Sequence, residues 1–292
     1  MGTFGGHVLP GSFFLCFGFW YTLKYIWNFL RKKTNRTAPF CRCCGIQCHV
    51  IVVEGIIKII FTTLGIILEL FFTGPPRGSL YDHNGGFTHA NNWQHATMYF
   101  FFGISGVADI VSHTARHVVP AGLDRLFGGL ALFIEGYLFF FHLHGRSHID
   151  KRVHILLVLT VWPSALFAFI ECLVMNKRKL LHIFEMLHTV LLIAQGTWFL
   201  QAAYILFPPN GNSFEDTQVN LMFITLFWSW HIAAVFGFVS LVYFLIYKLL
   251  KSRGLLDPQF MQSYKNMNIG TSLGSSTPLN GALLSECSED EL

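Results

Sequence analysis

The chain has 292 residues, of which 53% are hydrophobic, 16% aromatic and only 12% charged, with a net charge of +4 and a mean hydropathy of +0.49. A soluble globular domain carries about 25% charged residues, so half that share excludes a water-soluble fold and indicates a polytopic membrane protein. The small positive excess forms no basic stripe among base-reading polar groups, which excludes nucleic acid as a partner.

A membrane span needs roughly 20 mainly apolar residues. Seven segments qualify, at 8–30, 50–72, 93–112, 123–141, 153–175, 180–207 and 219–247. Met1 to His7 lacks a basic region, and the run after it is long enough to span, so no cleavable leader is expected. Beyond the first span lie five basic residues, an Asn35-Arg36-Thr37 sequon and the cluster Cys41-Arg42-Cys43-Cys44 with Cys48. Juxtamembrane cysteines beside basic residues suit lipidation, and their spacing fits neither a zinc finger nor a secreted disulfide framework.

Polar residues then recur inside the apolar runs. At about 100° per residue, Glu54, Lys58 and Glu69 fall on one side of the second span, with Glu54 and Lys58 placed as an internal i,i+4 pair. His95, Asp109 and His113 share a face of the third span. Glu135 and His142 are nearly eclipsed on the fourth. Pro163 predicts a kink in the fifth, because its ring removes a backbone donor. His188 and Gln195 repeat the seven-residue spacing on the sixth, and His231 stands alone on the seventh.

Ionisable groups are costly in hydrocarbon and mark functional paths. Lining the interior, Glu54, Glu69, Asp109, His113, His188 and Gln195 form a column suited to a proton or divalent cation. His95, Glu135, His142 and His231 form a candidate metal site, for zinc or another divalent ion. His142, His144, His148 and His154 also gather at one end of the fourth and fifth spans. Pairing His95 with His142 and His113 with His188 would offer haem ligands, with nothing else in the sequence to support it. For each such residue the plainer role is an interhelical hydrogen bond that fixes packing.

Lys and Arg set the orientation. Fourteen lie on the side of the first loop: Arg31, Lys32, Lys33, Arg36, Arg42, Arg116, Arg125, Lys177, Arg178, Lys179, Lys248, Lys251, Arg253 and Lys265. Four lie opposite, Arg77, Arg146, Lys151 and Arg152. The N-terminus is therefore expected outside or in a lumen and the C-terminus in the cytosol, which leaves Asn35 unmodified. Residues 1–250 read as one seven-span domain. Residues 251–292 read as a disordered acidic tail, in which Tyr264-Lys265-Asn266-Met267 has the form of a signal for cytosolic sorting proteins.

Several motifs carry a resemblance. Gly6-His7-Val8-Leu9-Pro10-Gly11-Ser12, Trp93-Gln94-His95-Ala96-Thr97-Met98-Tyr99, Phe141-His142-Leu143-His144, Gln195-Gly196-Thr197-Trp198 and Trp230-His231 resemble the transmembrane protein 45 family. Ala282-Leu283-Leu284-Ser285 and the acidic end are similar to its B-type members. The resemblance implies a multi-pass protein of the secretory pathway (Golgi or endosomal) or plasma membrane, without an established activity. The expectation is an all-α seven-helix bundle that conducts a proton or divalent cation. The alternatives are a membrane-embedded metal-dependent lipid hydrolase and a non-catalytic trafficking or receptor-like scaffold.

Overall fold

The computed structural model describes residues 3–31, 40–43, 46–72, 78–211 and 214–258. Each apolar run forms a helix: α1 (Phe4–Leu30), α2 (Val50–Phe71), α3 (Ala90–Thr114), α4 (Leu123–Phe141), α5 (His148–Leu173), α6 (Arg178–Leu206) and α7 (Gln218–Ser252). The starts of α1, α5 and α7 are set by side-chain caps. Thr3 accepts from Gly6 N–H at 3.0 Å, Ser147 from Asp150 N–H at 3.2 Å and Thr217 from Asn220 N–H at 3.3 Å. Capping by Thr3 and Ser147 starts α1 four residues and α5 five residues ahead of the apolar runs, which draws His7 and Asp150 into helix. The helix of α5 continues unbroken past Pro163. One element goes beyond an all-α reading, a short antiparallel hairpin of β1 (Phe40–Cys43) and β2 (Ile46–His49), with Cys41 opposite Cys48. Of the cysteines considered for lipidation, Cys44 lies outside the described residues, as does the tail after residue 258.

Six helices form a ring. Packing runs from α2 to α3, α4, α5 and α6, and α6 meets α1, while α7 lies outside on α6, α5 and α1. Glycine lets backbone meet backbone at two of the seams. A Cβ on Gly55 would lie 2.5 Å from the Gly106 carbonyl oxygen, and one on Gly106 would lie 2.8 Å from that of Gly55. Gly11 and Gly196 bring α1 against α6 in the same way, at 3.0 and 2.9 Å. Small residues of this kind let helices approach closely where no hydrophobic drive separates protein from lipid.

The seam between α1 and α2 is looser than any other in the ring. It is bridged by long side chains: Phe13 against Phe61, ring centroids 4.7 Å apart, and Lys24 and Trp20 on Glu54. Past α7, Leu256 packs with Ile26, Leu30 and Leu250. Arg178 holds this return by pairing with Asp257 at 2.8 Å and donating to the Phe29 carbonyl at 2.6 Å.

Polarity is inverted relative to a soluble fold. Ile56, Ile60, Leu64 and Ile67 of α2 and Met222, Leu226, Trp230 and Phe244 of α7 are exposed, whereas Glu54, Asp109, Glu135, Glu171 and Gln195 are buried. An apolar face this long would not be tolerated in water.

Candidate functional site

The ring encloses a cavity of about 780 Å³ lined by side chains of α1 to α6. Among the described residues none of α7 lines it. Glu54, Glu69, His95, Asp109, His113, Glu135, His142 and His188 all do, as the helical faces read from sequence require. Gln195 touches it indirectly, through Glu135.

At the end where α1 begins, four imidazoles from four segments follow one another. His7 lies 5.9 Å from His154, His154 lies 6.0 Å from His142, and His142 lies 5.3 Å from His95, centroid to centroid. Three have Nδ1 tied to an oxygen: His7 to the Thr3 carbonyl at 3.0 Å, His154 to the Asp150 carbonyl at 2.9 Å and carboxylate at 2.8 Å, and His95 to Glu69 at 3.3 Å. An oxygen acceptor keeps a proton on Nδ1, so Nδ1–H is the donor in each of these contacts.

His142, which caps α4, is bound on both sides. Its Nδ1–H donates to Gln94, and its Nε2 accepts from Arg146, whose other arm holds Asp150 at 2.9 Å. Burial, reinforced by the Arg146 charge, pushes this imidazole down to about 3, so it is neutral.

Midway, the Glu135 carboxylate accepts from Gln195 Nε2 at 2.7 and 2.8 Å. These side chains are 2% and 0% exposed, and no cation forms an ion pair with Glu135 among the described residues.

The opposite end is a lattice of charges between helices. Lys24 pairs with Glu54 at 2.8 Å, and Trp20 donates to the same carboxylate at 2.5 Å. Lys58 pairs with Asp109 at 2.7 Å. The expected Glu54–Lys58 pair within one helix is therefore replaced by two pairs between helices. Both α2 side chains reach into the ring, where α1 and α3 bring better-placed partners. Arg125 spans Glu171 and Glu185, the latter at 2.7 Å, and His188 Nδ1 lies 2.9 Å from Glu171.

The four residues proposed as a metal site separate. His95 and His142 are neighbours and Glu135 lies farther along the cavity, but His231 sits outside the ring, edge-on to Trp198 at 5.7 Å and Phe227 at 5.1 Å. His144 and His148 are exposed, and of the clustered histidines only His142 and His154 turn inward. Among the described residues no group of three or more His, Cys, Asp or Glu side chains is arranged to hold a metal ion. Sequence reasoning missed His7, Glu171 and the inward turn of Lys24 and Arg125. The Thr3 cap was the available signal for His7, since it extends the helix to include that residue.

Among the described residues four helices, α2, α5, α6 and α7, are long and apolar enough to cross a membrane. With a polar interior and an apolar exterior they define a multi-pass helical membrane protein. A family model described as a family of unknown function (DUF716) matches residues 121–244, from the start of α4 into α7. The chain is similar to transmembrane epididymal protein 1A of Mus musculus and transmembrane epididymal protein 1 of Rattus norvegicus. Each is 28% identical over 255 residues, covering 80% of this chain and 77% of the relative. The Homo sapiens transmembrane epididymal protein 1 is 29% identical over 191 residues, covering 61% of this chain and 67% of the relative. These matches overturn the resemblance to the transmembrane protein 45 family. The motifs that suggested it are short His and aromatic runs, and the longer alignments assign the similarity elsewhere.

Proposed function

We propose that the chain is a seven-span bundle that conducts protons through its interior. Its N-terminus lies outside or in a lumen and its C-terminus in the cytosol of a secretory-pathway or plasma membrane. Residues 1–250 form the bundle and 251–292 a cytosolic tail. The observation that carries the reading is the single cavity: imidazoles line one end, Glu135 the middle, and carboxylates with His188 the other end. Imidazoles and carboxylates each hold and release a proton, and such chains mark proton paths in membranes. A proton suits these groups better than a divalent cation, because no three His, Cys, Asp or Glu among the described residues converge on one point. Glu135 is the carboxylate between the two ends, and Leu132 and Phe139, one helical turn to either side of it on α4, are apolar.

The test is reconstitution into liposomes loaded with a pH-sensitive dye, with a potassium diffusion potential as the drive. The wild-type chain should acidify or alkalinise the lumen faster than protein-free vesicles, and Glu135→Gln should return the rate to that background. Wild-type flux no greater than background, or equal flux in folded Glu135→Gln, would rule the reading out.

A further inference from the structure

We propose that the charged end of the cavity binds a protonated lipophilic amine, with His188 Nε2 accepting a hydrogen bond from its N–H. The site goes beyond proton conduction and does not require it. Three observations define the ligand.

The first is an orphan acceptor. Glu171 is an acceptor toward His188 at 2.9 Å, so Nδ1 carries the shared proton, and the neutral tautomer this contact selects has Nε2 as its acceptor. His188 lines the cavity and is 9% exposed; its Nε2 is buried, and no group among the described residues hydrogen-bonds to it. A buried acceptor without a partner is costly, and what completes it must bring an N–H or O–H.

The second is charge. Arg125 is one cation shared between two carboxylates, Glu171 and Glu185, which leaves one negative charge. Neighbouring charges do not cancel it. Lys24 is taken by Glu54, Lys58 by Asp109 and Arg178 by Asp257; Arg116 and Asp124 line the same end with one formal charge of each sign, and His182 Nδ1 stands 3.9 Å from Glu185.

The third is shape. The cavity falls within the range of about 300–1,000 Å³ that holds small molecules. From the charged end it continues along Phe14, Phe17, Met98, Phe102, Leu132 and Leu192. An ammonium head with an apolar body matches both parts.

Saturable binding of radiolabelled dodecylamine to the full chain in phosphatidylcholine nanodiscs, with no gradient imposed, tests this independently of proton flux. Binding should saturate near one per chain. Dodecyltrimethylammonium, with the same charge and chain but no N–H, should fail to displace the label. Butylamine, with the head but no chain, should displace it only at far higher concentration. His188→Phe should weaken binding about tenfold or more, the value of a charge-assisted hydrogen bond. His188→Gln, whose carbonyl can accept, should retain most of it and separates a lost acceptor from a misfolded chain. Non-saturable uptake, equal displacement by the quaternary ion, or unchanged binding in folded His188→Phe would each overturn the proposal. Equal displacement by butylamine would overturn its apolar part.

Discussion

Arg125 illustrates how much a single side chain carries in this interior. It stands at the start of α4 and reaches Glu171 of α5 and Glu185 of α6, so three helices meet on one guanidinium. Removing it would leave two carboxylates facing each other without a cation in a buried site. Breaking a buried ion pair from one side costs about 3–5 kcal/mol, so Arg125→Leu should lower the thermal unfolding midpoint in detergent steeply. Arg125→Leu combined with Glu171→Gln and Glu185→Gln should recover much of the loss. Recovery distinguishes uncompensated charge from lost packing, which the second pair of changes would not restore. Lys24 and Lys58 make simpler pairs, each with one carboxylate on a neighbouring helix.

At the scale of helices, the approach of α2 to α3 rests on Gly55 and Gly106, where each carbonyl occupies the place of the other's missing side chain. Gly106→Val should force the helices apart and cost about 1–3 kcal/mol, the usual range for overpacking. The lowered midpoint should appear in thermal unfolding of the purified protein. Gly128→Ala, inside α4 with nothing within 4 Å of an added Cβ, should not lower it. The helices themselves were legible in the sequence, because each of the seven apolar runs forms one, and four of these among the described residues are long and apolar enough to cross a membrane. Their polar faces were legible too, and Glu54, Asp109, Glu135 and His188 do turn to one cavity. What periodicity cannot supply is the neighbour a face meets. His231 has the same credentials in sequence as His188, yet α7 packs outside the ring and turns it to Trp198 and Phe227. Glu54 and Lys58 are spaced to pair, and only the positions of α1 and α3 decide that they do not. Glu171 sat at the end of an apolar run and gained its meaning from Arg125, 46 residues earlier.

For the molecule as a whole, the alternation of seven helices puts the loop between α6 and α7 on the same side as the start of α1. Phe214→Thr completes a glycosylation sequon at Asn212 in that loop. Expression in cells should then give a glycan-dependent mass increase that a glycosidase removes, while Asn35 in the opposite loop stays unmodified. Modification at Asn35 instead, with none at Asn212, would invert the proposed orientation.

The ring also has an order of assembly written into it. The broad contact of α1 is with α6, whereas its seam with α2 is loose. During translation the two are separated in time: from Leu30 to Leu206 takes roughly 9–35 s at about 5–20 residues per second. Through that interval the glycine face at Gly11 and Gly18 has no partner helix. In the finished ring the Lys24–Glu54 pair and the Phe13–Phe61 contact join α1 to α2, and both partners are already made before α6 is. A chain stalled after α5 is thus an open ring, with its polar interior facing lipid along the side that α6 would have closed.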